Sequence, residues 1–157
     1  MNELLEVAAF NAAYARAIDN DALEQWPAFF TERCHYRITH VENEREGLPA
    51  GIVYADSRAM LEDRVAALRD ANIYERQRYR HLLGMPVIEE SEESQATSFE
   101  AETPFIVARI MASGETALFA TGCYRDRFER EGGRLLLASR VAVCDSTSID
   151  TLLALPL

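Results

Sequence analysis

The residues able to do chemistry in this chain are three histidines, three cysteines and a scatter of tyrosines and carboxylates. The histidines are His35, His40 and His81. An iron–sulfur cluster held by mixed ligands needs two Cys and two His in spaced pairs. Cys34 and His35 are adjacent, so on a strand they point to opposite faces and cannot chelate one iron. A mononuclear iron site needs two His and a carboxylate on one side, whereas His35 and His40 have opposite strand parity. No metal site is therefore expected. Cys144 ends an apolar run and reads as an inert buried thiol rather than a nucleophile. There is no GxSxG elbow, and Gly132-Gly133 reads as a hairpin turn rather than a phosphate-cradling loop. General acid/base work leaves Tyr14, Tyr36, Tyr54, His81 and Asp126 as candidates. Tyrosines at regular spacing are also ordinary core residues with a satisfied hydroxyl. The expectation for this chain is no catalytic, cofactor-binding or metal-ligating residue.

Recognition has more support. Arg76, Arg78, Arg80 and His81 cluster in an otherwise acidic chain, interleaved with Tyr74 and Tyr79. Arg and Tyr together are the composition of interface hot spots, although a solvated strand edge would also carry them. The tail Leu152-Leu153-Ala154-Leu155-Pro156-Leu157 is almost wholly apolar. It must tuck into its own domain or across a subunit contact, since a free apolar tail is a liability. The expected interface residues are Arg76, Arg78, Tyr79, Arg80, His81, Leu155 and Leu157.

The elements that must position these groups follow from hydrophobic spacing. Residues 3–18 repeat Leu4, Leu5, Ala8, Ala12, Ala15 and Ile18 at helical intervals. Asp19-Asn20-Asp21 ends that helix and caps a short second one, Ala22 to about Phe30, which Pro27 distorts. Cys34 to Thr39 is a strand. Residues 40–51 are polar, contain Gly47, Pro49 and Gly51, and are expected to be a loop. Ile52-Val53-Tyr54 is a short extended piece. Asp56 or Ser57 caps a third helix to about Asn72, and Tyr79 to Leu83 is extended. Glu89, Glu90, Glu92 and Glu93 read as a solvated loop.

The last sixty residues form three long strand runs, Gln95 to Met111, Glu115 to Arg130 and Arg134 to Cys144. Ser113-Gly114 and Glu131-Gly132-Gly133 are the turns. Strict alternation would send Leu135, Leu137, Val141 and Val143 one way and Leu136, Ala138, Ala142 and Cys144 the other. A sheet with one wet face alternates apolar and polar, and this one does not, so both faces need cover. Helices before a mostly antiparallel sheet argue an α+β fold. A long curved sheet wrapped around about three N-terminal helices makes a cone, whose inside is either a ligand cavity or a filled core.

At 157 residues the chain is one domain, 1–157, large enough to bury its own core. Its 16 basic and 26 acidic side chains leave a net charge of −10. That charge is repelled by phosphate backbones and anionic lipid, which argues against nucleic acid and membrane as partners. No run approaches the roughly 20 apolar residues of a membrane span. Met1-Asn2-Glu3 lacks a basic signal-peptide start, and Cys34, Cys123 and Cys144 show no CxxC spacing. The expected location is the cytoplasm.

Taken together, several segments resemble the small (β) subunits of Rieske-type aromatic-ring-hydroxylating dioxygenases. They are Ala9-Phe10-Asn11-Ala12-Ala13-Tyr14-Ala15, Glu24-Gln25-Trp26-Pro27, Phe29-Phe30-Thr31 and Cys34-His35-Tyr36-Arg37. Asn72-Ile73-Tyr74-Glu75-Arg76, Arg78-Tyr79-Arg80-His81-Leu82-Leu83-Gly84 and Val141 to Thr147 continue the likeness, as does Ala154-Leu155-Pro156-Leu157. The likeness spans essentially the whole chain.

The resemblance implies the cone-shaped cystatin-like or NTF2-like fold. It implies a structural role beside a large (α) subunit that carries the Rieske [2Fe-2S] cluster, the mononuclear non-heme Fe(II) and the substrate pocket. It further implies an α3β3 assembly containing other copies of this chain, with electrons from NAD(P)H through a separate reductase. No catalytic residue carries over. The alternatives are a stand-alone isomerase or dehydratase, or a ligand-binding module, of the same cone fold.

Overall fold

A computed structural model describes residues 2–47, 53–70, 76–89, 97–148 and 155–157. Expectations for Ile52, Asn72, Tyr74, the acidic run beyond Glu89 and Leu152 to Ala154 fall outside the described residues.

Helix α1 (Glu3–Asp19) begins where the Asn2 side chain accepts from the Leu4 amide at 2.8 Å, with Glu3 and Glu6 in its first turn. Both features favour a helix N-terminus. The second helix is a 3-10 segment, Leu23–Phe29, rather than an α-helix. Pro27 inside it cannot donate a backbone bond, and the tighter turn is suited to so short a piece. Strand β1 (Phe30–His40) starts earlier than Cys34.

The expected loop after β1 holds a short helix, α2 (Val41–Arg45). The first of its three loop signals, Gly47, lies beyond it. His40 Nδ1 accepts from the Asn43 amide at its start, and Arg37 grips Glu44 at 3.0 Å. Strand β2 (Val53–Ala55) and helix α3 (Arg58–Asp70) follow. Then come β3 (Gln77–Leu83), β4 (Val87–Glu89), β5 (Ser98–Met111), β6 (Thr116–Glu131) and β7 (Arg134–Cys144).

The described strands form one sheet in the order β2-β1-β7-β6-β5-β3, with β4 beside β3 on the edge of β5. All pairings are antiparallel except β1 with β7, which is parallel. The β6–β7 turn uses Gly132 and Gly133 at φ 56° and 79°, a region glycine enters without strain. Gly122 has a different reason. A Cβ there would lie 2.2 Å from the Val143 carbonyl and 2.9 Å from the Phe105 ring, so only glycine lets that ring cross β6.

Two of the sheet's register irregularities, in the β6–β7 and β5–β6 pairings, decide which side chains of these strands face inward. Phe128 pairs with Leu137 and Arg127 with Ser139, so Ala138 is an extra residue on β7. Strict alternation over 135–144 is therefore wrong: Leu137 joins Ala142 and Cys144 in the core. Likewise Val107 pairs with Ala120 and Ala108 with Leu118, so Phe119 is extra on β6. A one-residue bulge reverses the parity of everything beyond it. It turns Leu118 to the outer face.

Helix α1 and the 3-10 segment pack on the inner face around Tyr14, Trp26, Phe30, Tyr36, Tyr124 and Phe128, all fully buried. The outer face is partly covered from within the chain. Helix α2 lies against β1 and β7, above Thr39 and Val143, which are buried.

Candidate functional site

The inside of the cone is where a ligand would sit in this architecture. Here side chains from every layer occupy it. Arg140, in the middle of an apolar strand, is completely buried. Its Nε and Nη2 donate to the two carboxylate oxygens of Asp126, each at 2.8 Å, and Nη2 also donates to Asn11 Oδ1 at 2.6 Å. The Asn11 amide in turn donates to Thr103 Oγ1 at 3.0 Å. The guanidinium lies over the rings of Tyr14 at 4.3 Å and Tyr124 at 3.9 Å. Register explains the pair, since Asp126 and Arg140 stand directly opposite on β6 and β7. Burial opposes the charge on Arg140, but Asp126 outweighs it and holds the guanidinium above its ordinary value.

The chain's own C-terminal residues enter the same space. The Leu157 carbonyl accepts from Tyr14 Oη at 2.8 Å and Tyr36 Oη at 3.0 Å, and the Leu157 amide donates to Tyr36 Oη at 3.1 Å. Leu155 and Leu157 are both buried in the main core. Burial raises the Tyr14 hydroxyl and pushes those of Tyr36 and Tyr124 well above the usual phenol value. All three therefore stay protonated near neutral pH and cannot act as bases.

Of the acid/base candidates, Tyr14, Tyr36, His81 and Asp126 lie inside the cone. Tyr54 is about half exposed and packs edge-on against His35 outside it. His81 has a partner that its sequence context did not reveal. Asp19, the last residue of α1, accepts from His81 Nδ1 at 2.7 Å and from the His81 amide at 2.9 Å. That carboxylate fastens helix α1 to the edge strand β3. The His81 side chain is fully covered, which leaves it no route to a substrate. Cys34 and Cys144 have thiols pushed up to about 11, chiefly by burial, so neither is a ready nucleophile. His35, His40 and His81 sit on the outer face, at the start of α2 and under α1 respectively. Among the described residues no three His, Cys, Asp or Glu side chains converge to hold a metal. The described residues therefore offer no ligand set for a Rieske cluster or a mononuclear iron.

Strand alternation divides the expected interface residues. Arg76, Arg78 and Arg80 are exposed, while Tyr79 and His81 face inward. Leu155 and Leu157 are enclosed by their own domain. Beside Arg78 and Arg80, the outer face presents Leu82, Ile106 and Leu118, which are 67%, 45% and 67% exposed. They form one patch because Leu82 pairs with Ile106 and Arg80 with Ala108, which pairs in turn with Leu118. Neither Ile106 nor Leu118 stood out in the sequence, and the position of Leu118 depends on the Phe119 bulge. Asp19, Asn11 and Arg140 were missed as well. The usable signal was Arg140 itself, since an arginine inside an apolar strand requires a buried partner.

Residues 13–151 match the family described as ring hydroxylating beta subunit. The chain is 60% identical over 157 residues to the subunit beta 1 of the terminal oxygenase component of terephthalate 1,2-dioxygenase from Comamonas sp, covering 100% of this chain and 99% of that one. It is 35% identical over 158 residues to the anthranilate 1,2-dioxygenase small subunit of Burkholderia cepacia, covering 100% and 96%. Among solved structures it resembles a protein from Novosphingobium aromaticivorans assigned as the beta subunit of an aromatic-ring-hydroxylating dioxygenase. That match has 41% identity, a TM-score of 0.89 and coverage of 99% of this chain and 97% of that one. With an NTF2-like fold and a full-length match to these relatives, the chain belongs to the β subunits of ring-hydroxylating dioxygenases.

Proposed function

We propose that this chain is the non-catalytic small subunit of a terephthalate-type dioxygenase, a rigid base on which iron-bearing large subunits are held. The observation that carries the structural half of this reading is the buried Arg140–Asp126 pair with Leu157 beside it. These groups occupy the interior and bond to one another, while Arg140 Nη1 and Tyr124 Oη have no hydrogen-bond partner among the described residues. The 60% identity to the Comamonas subunit supports an aromatic acid as the substrate of the assembled enzyme.

In this reading the Rieske [2Fe-2S] cluster and the mononuclear Fe(II) belong to the large subunit. The assembly is α3β3, a separate reductase supplies electrons derived from NAD(P)H, and the complex works in the cytoplasm. The small subunit contributes position: it fixes the spacing of large subunits that must exchange electrons with one another. Interface contacts come from Arg76, Arg78 and Arg80 directly. Tyr79, His81, Leu155 and Leu157 act from inside, by holding the strand and cone in shape. A stand-alone isomerase or dehydratase is not favoured, because His81 and Asp126 are each committed to a structural partner.

Native mass spectrometry of the protein purified gently from its own cells tests the reading. A complex of three copies of this chain with three of a larger iron-bearing chain is expected. A homo-oligomer with no larger partner overturns it.

A further inference from the structure

Three tyrosine hydroxyls face one space inside the cone. Tyr14 Oη and Tyr36 Oη donate to a single acceptor, the Leu157 carbonyl, at 2.8 and 3.0 Å. The third, Tyr124 Oη, is fully buried and has no hydrogen-bond partner among the described residues. Its ring centroid lies 6.2 Å from that of Tyr14. Burial raises all three hydroxyls. Beyond burial, Tyr14 and Tyr124 both raise Tyr36, and Tyr14 raises Tyr124, as groups that share one space do. Arg140 adjoins them, its guanidinium 3.9 Å from the Tyr124 ring centre and its Nη1 also without a partner among the described residues.

The chain itself occupies this space. Leu155 and Leu157 lie in the same core cluster as the three rings. In chemical terms the occupant is a carbonyl oxygen carried on apolar groups. It is an incomplete fit, because one carbonyl meets two of the three hydroxyls and leaves Tyr124 Oη and Arg140 Nη1 with nothing to donate to. A buried donor without an acceptor forfeits the bonds it had in water, and folded cores seldom leave one. Apolar walls with a few convergent polar groups are the make-up of a small-molecule site.

We propose that the cone holds a binding site for a small neutral aromatic compound with a carbonyl oxygen, and that Leu155 and Leu157 are a built-in occupant which such a compound displaces. The lining sets this chemistry. The three hydroxyls stay protonated near neutral pH, so together they call for an acceptor. Asp126 already neutralises Arg140. The site therefore has no surplus positive charge to offset a buried anion, and a neutral oxygen suits it better. The walls are aromatic: Trp26 and Phe30 stand edge-on to Tyr36, and Phe105 stacks on Tyr124. Another ring packs well against such faces and edges. Space is sufficient once two leucine side chains leave, since an apolar cavity of roughly 150 Å³ already holds benzene. The proposal is for binding without turnover, and it goes beyond the scaffold reading.

The test opens the site in the full-length chain with Leu155→Ala and Leu157→Ala, the fold checked by circular dichroism. Titration calorimetry with acetophenone as the probe then reads binding. The opened variant is expected to bind it at least about tenfold more tightly than wild type, where the tail competes. Acetophenone is expected to bind at least about tenfold better than ethylbenzene, which has the ring without the oxygen, and better than benzoate at neutral pH. Adding Tyr124→Phe to the opened variant removes most of the advantage over ethylbenzene. In wild type the same Tyr124→Phe change leaves thermal stability unchanged or higher, because the hydroxyl makes no bond there. Failure of the opened variant to bind acetophenone, or equal binding of ethylbenzene, overturns the site. Tighter binding of benzoate overturns the choice of a neutral ligand. Should the double variant not fold, Leu155→Ala alone carries the same comparisons.

Displacement is read in wild type by hydrogen exchange at the Leu157 amide, which donates to Tyr36 Oη. Acetophenone is expected to speed that exchange and ethylbenzene is not. Exchange that acetophenone leaves unaltered overturns the tail as a competing occupant. The result is independent of assembly: a complex with a large subunit that forms while acetophenone never binds spares the scaffold reading and overturns the site.

Discussion

Arg140 and Arg80 stand on the same sheet, and their surroundings could hardly differ more. Arg140 on the inner face has a bidentate carboxylate, an amide oxygen and two aromatic rings. Arg80 on the outer face has no ion-pair partner among the described residues and lies beside exposed leucines. The difference follows from solvation. A guanidinium taken out of water must be matched by a carboxylate and hydrogen bonds or it costs several kcal/mol. On the surface, water does that work and the charge stays available. Pairing inside therefore serves the fold, whereas an exposed guanidinium is stabilised by water whether or not a carboxylate is near.

The comparison can be broken most directly at Asp126. Asp126→Ala leaves Arg140 buried and uncompensated, and is expected to destabilise the fold by about 3–5 kcal/mol in denaturant titration. Replacing Arg140 and Asp126 together by Met and Leu should cost clearly less, because no orphaned charge remains. Equal losses for the single and double variants would show that the charge is not what the site depends on.

A smaller effect is expected at the hydroxyl that holds the chain's last described residues. Tyr36→Phe removes the group that both donates to and accepts from Leu157. The expected cost is about 1–3 kcal/mol, with faster carboxypeptidase trimming of the tail. A tail as resistant as in wild type would show that packing and the remaining Tyr14 bond suffice to hold Leu155 and Leu157.

The smallest effect is the acid limb of stability. Arg130 holds the Glu6 carboxyl below its ordinary value through a hydrogen bond, and Arg69 does the same for Glu24. Groups with a lowered folded value stabilise above their unfolded value, about 4.3 for glutamate, and lose that contribution as pH falls through the folded one. Glu24 is exposed and Glu6 partly so, and solvent screens both pairs, so a shallow loss below about pH 4 is expected, traced by thermal melts. Glu89 works with the opposite sign, since Glu100 raises it. The repulsion between them grows as pH rises through the carboxylate range. An Arg130→Gln variant with an unaltered acid limb would remove Glu6 from this account.

Much of the architecture was legible in the chain. Helix α1 declared itself by the spacing of Leu4, Leu5, Ala8, Ala12, Ala15 and Ile18, although Leu5 and Ala12 prove exposed, and the hairpin turns by Gly114, Gly132 and Gly133. The family was legible from end to end. The candidate site was legible only in part. His81 and Asp126 stood out as acid/base candidates, but their partners did not. Asp19 is 62 residues from His81, and Asn11 is 129 from Arg140. Nothing local links such pairs.

The sequence by itself determined the local order: which segments are helix or strand, where the turns fall, and that both sheet faces would need cover. These depend on side-chain periodicity and backbone preference over a few residues. The tertiary structure alone decided the rest. It set the bulges at Phe119 and Ala138 that reverse the facing of whole half-strands, and it folded Val41–Arg45 into a helix over β1 and β7. It also spent the interior of the cone on Arg140, Asp126 and Leu157, leaving Arg78 and Arg80 to the outside. The physical reason is that side-chain facing accumulates along a strand. One extra residue inverts it, and where that residue lodges is settled by strands that meet only when the chain has folded.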